Sequence, residues 1–119
     1  MLRHARAEAP NECCGLLVGR RGAIEGSVRA RNLQSSPTRY LIDPADHFAA
    51  MRAARSQGRR VIGAYHSHPA NPAAPSESDV SEATGGPDFL YLIVSPLQGE
   101  LRAYYLKNGA VIFVEVVST

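Results

Sequence analysis

The sequence predicts an α+β fold, a mixed, largely antiparallel sheet of about six strands with three helices packed on it. Three observations predict it. β-prone apolar segments gather toward both ends of the chain, segments with helix-start signals stand between them, and an Asn108-Gly109 pair joins two late β-prone runs as a hairpin.

Leu2–Ala9 is rich in Ala, Arg and Glu and stops before Pro10, which predicts a short helix. The apolar run Cys14–Val18 closes at Gly19 and suits a buried strand. Arg20-Arg21-Gly22 reads as a hairpin tip, with a return strand from about Ala23 to Asn32. Asn32–Thr38 is a polar loop, and Arg39–Ile42 is expected to form a brief strand. Asp43-Pro44 opens the clearest helix: Asp43 caps it, Pro44 takes the first helical position, and Gly58 stops it. Phe48 and Met51 fall on one side of that helix; Arg52, Arg55 and Arg59 follow at helical spacing on another. Val61–Tyr65 is a strand running into His66-Ser67-His68-Pro69. Pro69–Pro75 holds three prolines and three alanines and reads as a stiff, extended loop. Ser76–Thr84 is a third helix stopped by Gly85-Gly86; Asp88–Val94, Leu101–Leu106 and Ala110–Val117 complete the strands.

At 119 residues the chain has the length of a single domain, 1–119. Its composition, 45% hydrophobic and 20% charged, is that of a globular protein and excludes a disordered, collagen-like or coiled-coil chain. A net charge of +2 is too small to suggest nucleic-acid binding. The longest apolar run, Phe89–Val94, is far short of the ~18 residues of a membrane span. The opening residues have a basic flank but no apolar core, so no signal peptide is expected. Cys13 and Cys14 are adjacent, which disfavours a disulfide between them, and both are read as reduced thiols in a cytoplasm.

The chemistry concentrates in His66-Ser67-His68, Ser76 and Asp79. Histidines at i and i+2 of an extended segment project from one face, so both imidazoles can meet one cation. Asp79 follows eleven residues after His68, across a rigid loop able to turn the chain back. Two imidazoles and a carboxylate suit Zn²⁺, and three protein ligands leave a fourth tetrahedral position for water, the mark of catalytic rather than structural zinc. Alone, a His-x-His is more often a surface or core pair. Ser76-Glu77-Ser78-Asp79 also fits a capping box, and a helix start can both cap and present Asp79 to a metal. Other centres fail on inspection: the sequence has no His-Glu-x-x-His, no Cys-x-x-Cys, no P-loop and no Gly-x-Ser-x-Gly. Glu12, between Pro10 and the strand at Cys14, is the candidate proton acceptor, because a carboxylate at the edge of a buried strand is desolvated and its pKa rises. Position alone, however, favours an exposed loop glutamate there.

Glu12, then His66-Ser67-His68-Pro69, then Ser76 with seven residues (69–75) between it and His68, and Asp79 with two residues between it and Ser76, together resemble the JAMM (MPN-domain) metalloproteases. The stretch Asn11–Leu17 resembles the family's Glu-x-Cys-Gly segment, and the similarity extends to the Ser36–Tyr40 loop and the Leu90–Ser95 strand. Length and element order resemble the small bacterial members that process ubiquitin-like sulfur-carrier proteins. Family members usually begin with a strand, whereas here the first element is a helix.

The resemblance implies a cytidine-deaminase-like layout, with one catalytic Zn²⁺ held by His66, His68 and Asp79. It implies Glu12 as general base then acid, Ser76 as hydrogen-bond donor to the tetrahedral oxyanion, and Ser67 as a residue that positions the backbone. The implied partner is a ubiquitin-like or sulfur-carrier protein with a C-terminal Gly-Gly tail, cleaved at a peptide or isopeptide bond, with no nucleic-acid or membrane partner. The Arg52/Arg55/Arg59 row is read first as a solvated face and second as a dock for an acidic carrier. Two other readings stay open: a catalytically silent binding module of the same family, whose members typically lack ligands of the motif, and a relative linked to DNA repair, against which the small charge weighs.

Overall fold

Among the described residues nine elements follow in chain order: α1 (Leu2–Glu8), β1 (Cys14–Arg20), β2 (Ala23–Ala30), α2 (Pro44–Ser56), β3 (Arg60–Ser67), α3 (Glu77–Ser81), β4 (Leu90–Ser95), β5 (Glu100–Lys107) and β6 (Ala110–Val114). The structure, a computed structural model, describes residues 1–20 and 23–116. Two expectations fall outside that range: residues 21 and 22 of the hairpin tip and the last residue, Val117, of the final strand.

The six strands form one sheet in the order β2-β1-β3-β4-β5-β6. Among the described residues only β3 and β4 run parallel; the other pairs are antiparallel. A parallel pair needs a crossover, and here that crossover is the segment carrying the Pro-rich loop and α3. It begins where β3 ends, at Ser67, and therefore turns the chain back over the end of the strand that leads into His68.

Burial follows position in the sheet. All six residues of β4 are buried, as a central strand with both faces covered requires. The edge strand β2 is largely exposed. On one face α1 packs through Ala5 on a cluster with Cys13, Leu17, Tyr65, Leu92 and Val94. On the other, Ala50 and Ala54 are the buried residues of α2, and Ala50 meets Leu16 and Ala64. Further along that face Ala73 packs with Tyr91, Ile93 and Tyr104. Small residues on α2 let its axis approach the sheet closely, which leaves Phe48 (65% exposed) and Met51 (48% exposed) looking outward.

The predicted helix starts hold. Asp43 accepts from the Ala45 N–H at 2.9 Å, with Pro44 in the first turn. Arg31 ties β2 to that helix start through Asp43 at 3.2 Å and Asp46 at 3.5 Å. The expected strand at Arg39–Ile42 does not form: a single antiparallel bridge joins Ile42 to Asn32. The reason is local, since the polar Asn32–Thr38 segment folds back on itself there and gives no run of partners. One irregularity interrupts the central pairing. Leu17 faces Gly63 but Val18 faces Val61, so Ile62 is an extra residue that bulges out of β3.

Candidate metal centre

β3 brings the histidines to one side because it is extended to its end. Cys14 of β1 stands opposite His66, and Ser67 is locked to Cys13 by two bonds: its N–H donates to Cys13 O at 3.0 Å, and its Oγ accepts the Cys13 N–H at 2.8 Å. One step further along the same antiparallel register sets Glu12 opposite His68. Ser67 thus points to the α1 face and ties the two chain segments together. The His68 N–H donates to Val94 O at 2.8 Å, which carries the extended conformation past the strand's end.

α3 supplies the third group. Ser76 caps it: Ser76 Oγ accepts the Asp79 N–H at 3.1 Å, and the Ser76 N–H donates to Asp79 Oδ2 at 2.9 Å. Ser76 and Asp79 therefore form the expected capping box. The box fixes the Asp79 carboxylate, and its Oδ2 lies 3.0 Å from His68 Nε2 and 3.2 Å from His66 Nε2. The two Nε2 atoms are 3.2 Å apart. All three side chains are buried.

This donor set fits a cation. His68 Nδ1 lies 3.0 Å from the Pro72 carbonyl, which can only accept, so Nδ1 carries a proton; Nε2 then offers Asp79 an N–H while His68 is charged and a lone pair once that proton is given up to a metal ion. Placing the second nitrogen against a carbonyl is also how metal-bound imidazoles are usually oriented. Burial by itself would raise the pKa of Asp79, but hydrogen bonds from His66 and His68 outweigh it and hold the carboxyl well below its usual range. Burial keeps His66 neutral by lowering its pKa. For His68 burial also opposes the charge, yet the Asp79 and Pro72 contacts prevail and raise it. Three electron-pair donors this close repel one another unless a proton or metal ion sits among them, and two imidazoles with one carboxylate match Zn²⁺.

Glu12 is 3% exposed, and its Oε1 has no hydrogen-bond partner among the described residues. Burial pushes its pKa up to about 8; the nearby charge of His68 favours the carboxylate and that of Asp79 opposes it. The structure thus brings Glu12 to the same centre as His66, His68, Ser76 and Asp79, and the exposed-loop reading of Glu12 does not hold. Ser76 Oγ accepts the Asp79 N–H in the cap and lies 3.1 Å from Ser78 Oγ, with either hydroxyl able to donate to the other.

Tyr40 is a neighbour that spacing alone did not single out. Its ring stacks on His66 with centroids 4.3 Å apart and planes 16° from parallel. The available signal was its place in the Ser36–Tyr40 loop, which carried no role by itself. A cavity of about 520 Å³ opens beside the centre, with Tyr40 and Leu41 on one side, Asp79 and Glu82 on the other, and Ala64 and Tyr91 among its lining. Arg39 and Glu82, both on this lining, form an ion pair at 3.4 Å. No helix of the described residues is long and apolar enough to cross a membrane.

Known proteins resemble this chain in sequence and in fold. The chain is 39% identical over 116 residues to the CysO-cysteine peptidase of Mycobacterium tuberculosis, covering 93% of this chain and 79% of that protein. It is 34% identical over 111 residues to a desampylase of Haloferax volcanii, covering 87% and 78%. A solution structure of a protein from Desulfitobacterium hafniense superimposes with a TM-score of 0.88 at 37% identity, over 98% of this chain and 84% of that one. Residues 1–107 match the family described as prokaryotic homologs of the JAB domain. The chain belongs to that family, the small prokaryotic branch of the JAMM/MPN proteins.

Proposed function

We propose that this protein is a zinc-dependent peptidase or isopeptidase that hydrolyses an amide bond at the C-terminal Gly-Gly tail of a ubiquitin-like or sulfur-carrier protein, acting in the cytoplasm as a single domain. The observation that carries the reading is the convergence of His66 Nε2, His68 Nε2 and Asp79 Oδ2 within 3.2 Å, with the buried Glu12 beside them. Relatives named for CysO-cysteine cleavage and for desampylation support the substrate class. The complete ligand set weighs against a silent binding module.

His66, His68 and Asp79 would hold the ion. Zinc, when bound, supplies Lewis acidity that polarises the scissile carbonyl and brings the pKa of water from 15.7 toward ~7. Glu12 takes the proton of the attacking water and passes it to the leaving amine. Its raised pKa suits both halves of that transfer, because the same group must release the proton it accepts. The Ser76 hydroxyl donates to the oxyanion of the tetrahedral intermediate. The cavity next to Asp79 accepts the extended tail; a Gly-Gly sequence lacks side chains and so permits a narrow approach.

The test is Glu12→Gln. The variant is expected to bind zinc as the wild type does and to lose cleavage of a carrier fusion by ~10²–10⁴-fold. Unchanged cleavage refutes the assignment.

A further inference from the structure

The segment from Asn32 to Ile42 reaches Glu12, His66 and the end of the helix that carries Asp79. Its neck is closed by the Asn32–Ile42 bridge and by the Leu33 N–H donating to Leu41 O at 2.9 Å. Ser36 O accepts the Glu12 N–H at 2.8 Å. Tyr40 stacks on His66. Arg39 pairs with Glu82, the residue that ends α3, the helix bearing Asp79.

Within the neck lies the Asn32 side chain, half-buried and fully committed. Its Oδ1 accepts from the Gln34 N–H at 3.0 Å and the Leu41 N–H at 2.9 Å. Its Nδ2 donates to Glu12 O at 3.0 Å and Arg39 O at 3.1 Å. A carboxamide has two donor hydrogens and two acceptor lone pairs, and all are used. The orientation is fixed as well: exchanging oxygen and nitrogen would set N–H against N–H and oxygen against oxygen. No other side chain of this size supplies that pattern. Two of the bonds fall on the peptide groups either side of Tyr40. The bond to Glu12 O leaves the loop altogether, reaching back twenty residues, and loop closure alone does not require it. With the Ser36 contact, both backbone polar groups of Glu12 are held by this one segment.

We infer that Asn32 is a positioning residue of the hydrolytic centre: its carboxamide fixes the backbone of Glu12 at one end and that of Tyr40, and so the ring packed on His66, at the other. The inference rests on the proposed hydrolytic reading. Asn32 touches no reacting atom. It acts by keeping the proton-transferring carboxylate and one ligand ring in register with each other, where small displacements are costly to rate.

The experiment uses Asn32→Asp in the full chain loaded with zinc. Aspartate keeps the acceptor bonds from Gln34 and Leu41, loses both donor bonds, and sets an oxygen against the carbonyls of Glu12 and Arg39. Expected are a ~10–100-fold loss of kcat on a carrier fusion with KM nearly unchanged, and a ~10-fold weaker zinc affinity. At saturating zinc the same substitution in the Glu12→Gln background is expected to cost kcat less than ~3-fold further, because its effect on kcat runs through Glu12 while its effect on zinc affinity runs through Tyr40 and His66; a general weakening of the fold would lower kcat in both backgrounds alike. Should Asn32→Asp fail to fold, Asn32→Gln, which keeps the carboxamide but displaces it by one methylene, is read in the same assays. Unchanged kcat and zinc affinity, or equal losses in both backgrounds, overturn the inference. If wild-type zinc protein cleaves no carrier fusion, the hydrolytic reading fails in the wild type itself. Asn32 is then judged on zinc affinity, and an unchanged affinity overturns its role.

Discussion

Both faces of the sheet bury histidines, and the two sets are wired differently. On the α1 face His4 is 5% exposed; its Nδ1 lies 2.8 Å from the Tyr65 hydroxyl, and its Nε2 only 3.9 Å from the exposed Glu8. Burial, with Arg29 adding to it, lowers the His4 pKa, so a neutral ring meets a neutral hydroxyl and donor matches acceptor. On the opposite face His66 and His68 aim two nitrogens at one carboxylate oxygen already served by a backbone N–H. One face is balanced, one proton between two atoms, whereas the other gathers an excess of ligand-type atoms, three within 3.2 Å of one another. Burial of a histidine is therefore uninformative by itself; the crowding of three such atoms is what makes the second set fit to hold a metal ion.

The contrast can be broken at the excess side first. Asp79→Ala is expected to reduce bound zinc from one equivalent to near none and cleavage to background, by metal analysis and a fusion-cleavage assay. Next, Ser76→Ala removes an oxyanion donor and a helix cap together: kcat should fall ~10²–10³-fold and stability by ~1 kcal/mol, the second read by denaturant melts. A smaller effect concerns pH. Glu12 is raised from 4.5 to about 8 in the folded protein, so between those values the folded state holds the proton that the unfolded chain has lost. That contribution to stability is full below about 4.5 and declines as pH rises to about 8. Metal-free Glu12→Gln should lack this slope and melt above the wild type by at least ~4 °C at pH 8, relative to the difference at pH 5. Smallest of all, Tyr65→Phe on the balanced face should cost ~1–2 kcal/mol by stranding His4, with zinc content and cleavage unchanged.

Much of this centre can be read before folding. His66 and His68 share a face because strands alternate, and Ser76 with Asp79 announces a capped helix start. The β-hairpin at Lys107–Ala110 and the Asp43-Pro44 helix start are equally local signals. What escapes is contact between segments distant in sequence. Glu12 is buried only because β1 runs beside β3, and Asn32 matters only because four backbone groups arrive around one carboxamide. The face of α2 was legible in period but not in sign: alanines, not Phe48 and Met51, meet the sheet, since close approach favours small side chains. Arg39–Ile42 has strand-like composition, yet Arg39 O and Leu41 N bond to the Asn32 side chain, while Leu41 O and the Ile42 bridge meet loop backbone rather than a strand.

The bulge at Ile62 has a consequence for how this chain tolerates changes of length. Upstream of it Val61 lies toward α2 and Ile62 toward α1; from Gly63 onward the phase is set by the pairing with Leu90 through Val94. An added or deleted residue between Gly58 and Ile62 can therefore be absorbed where the ladder is already out of step. The same single-residue change between Gly63 and His66 would rotate both imidazoles through the sheet, pointing them at the first helix and away from Asp79.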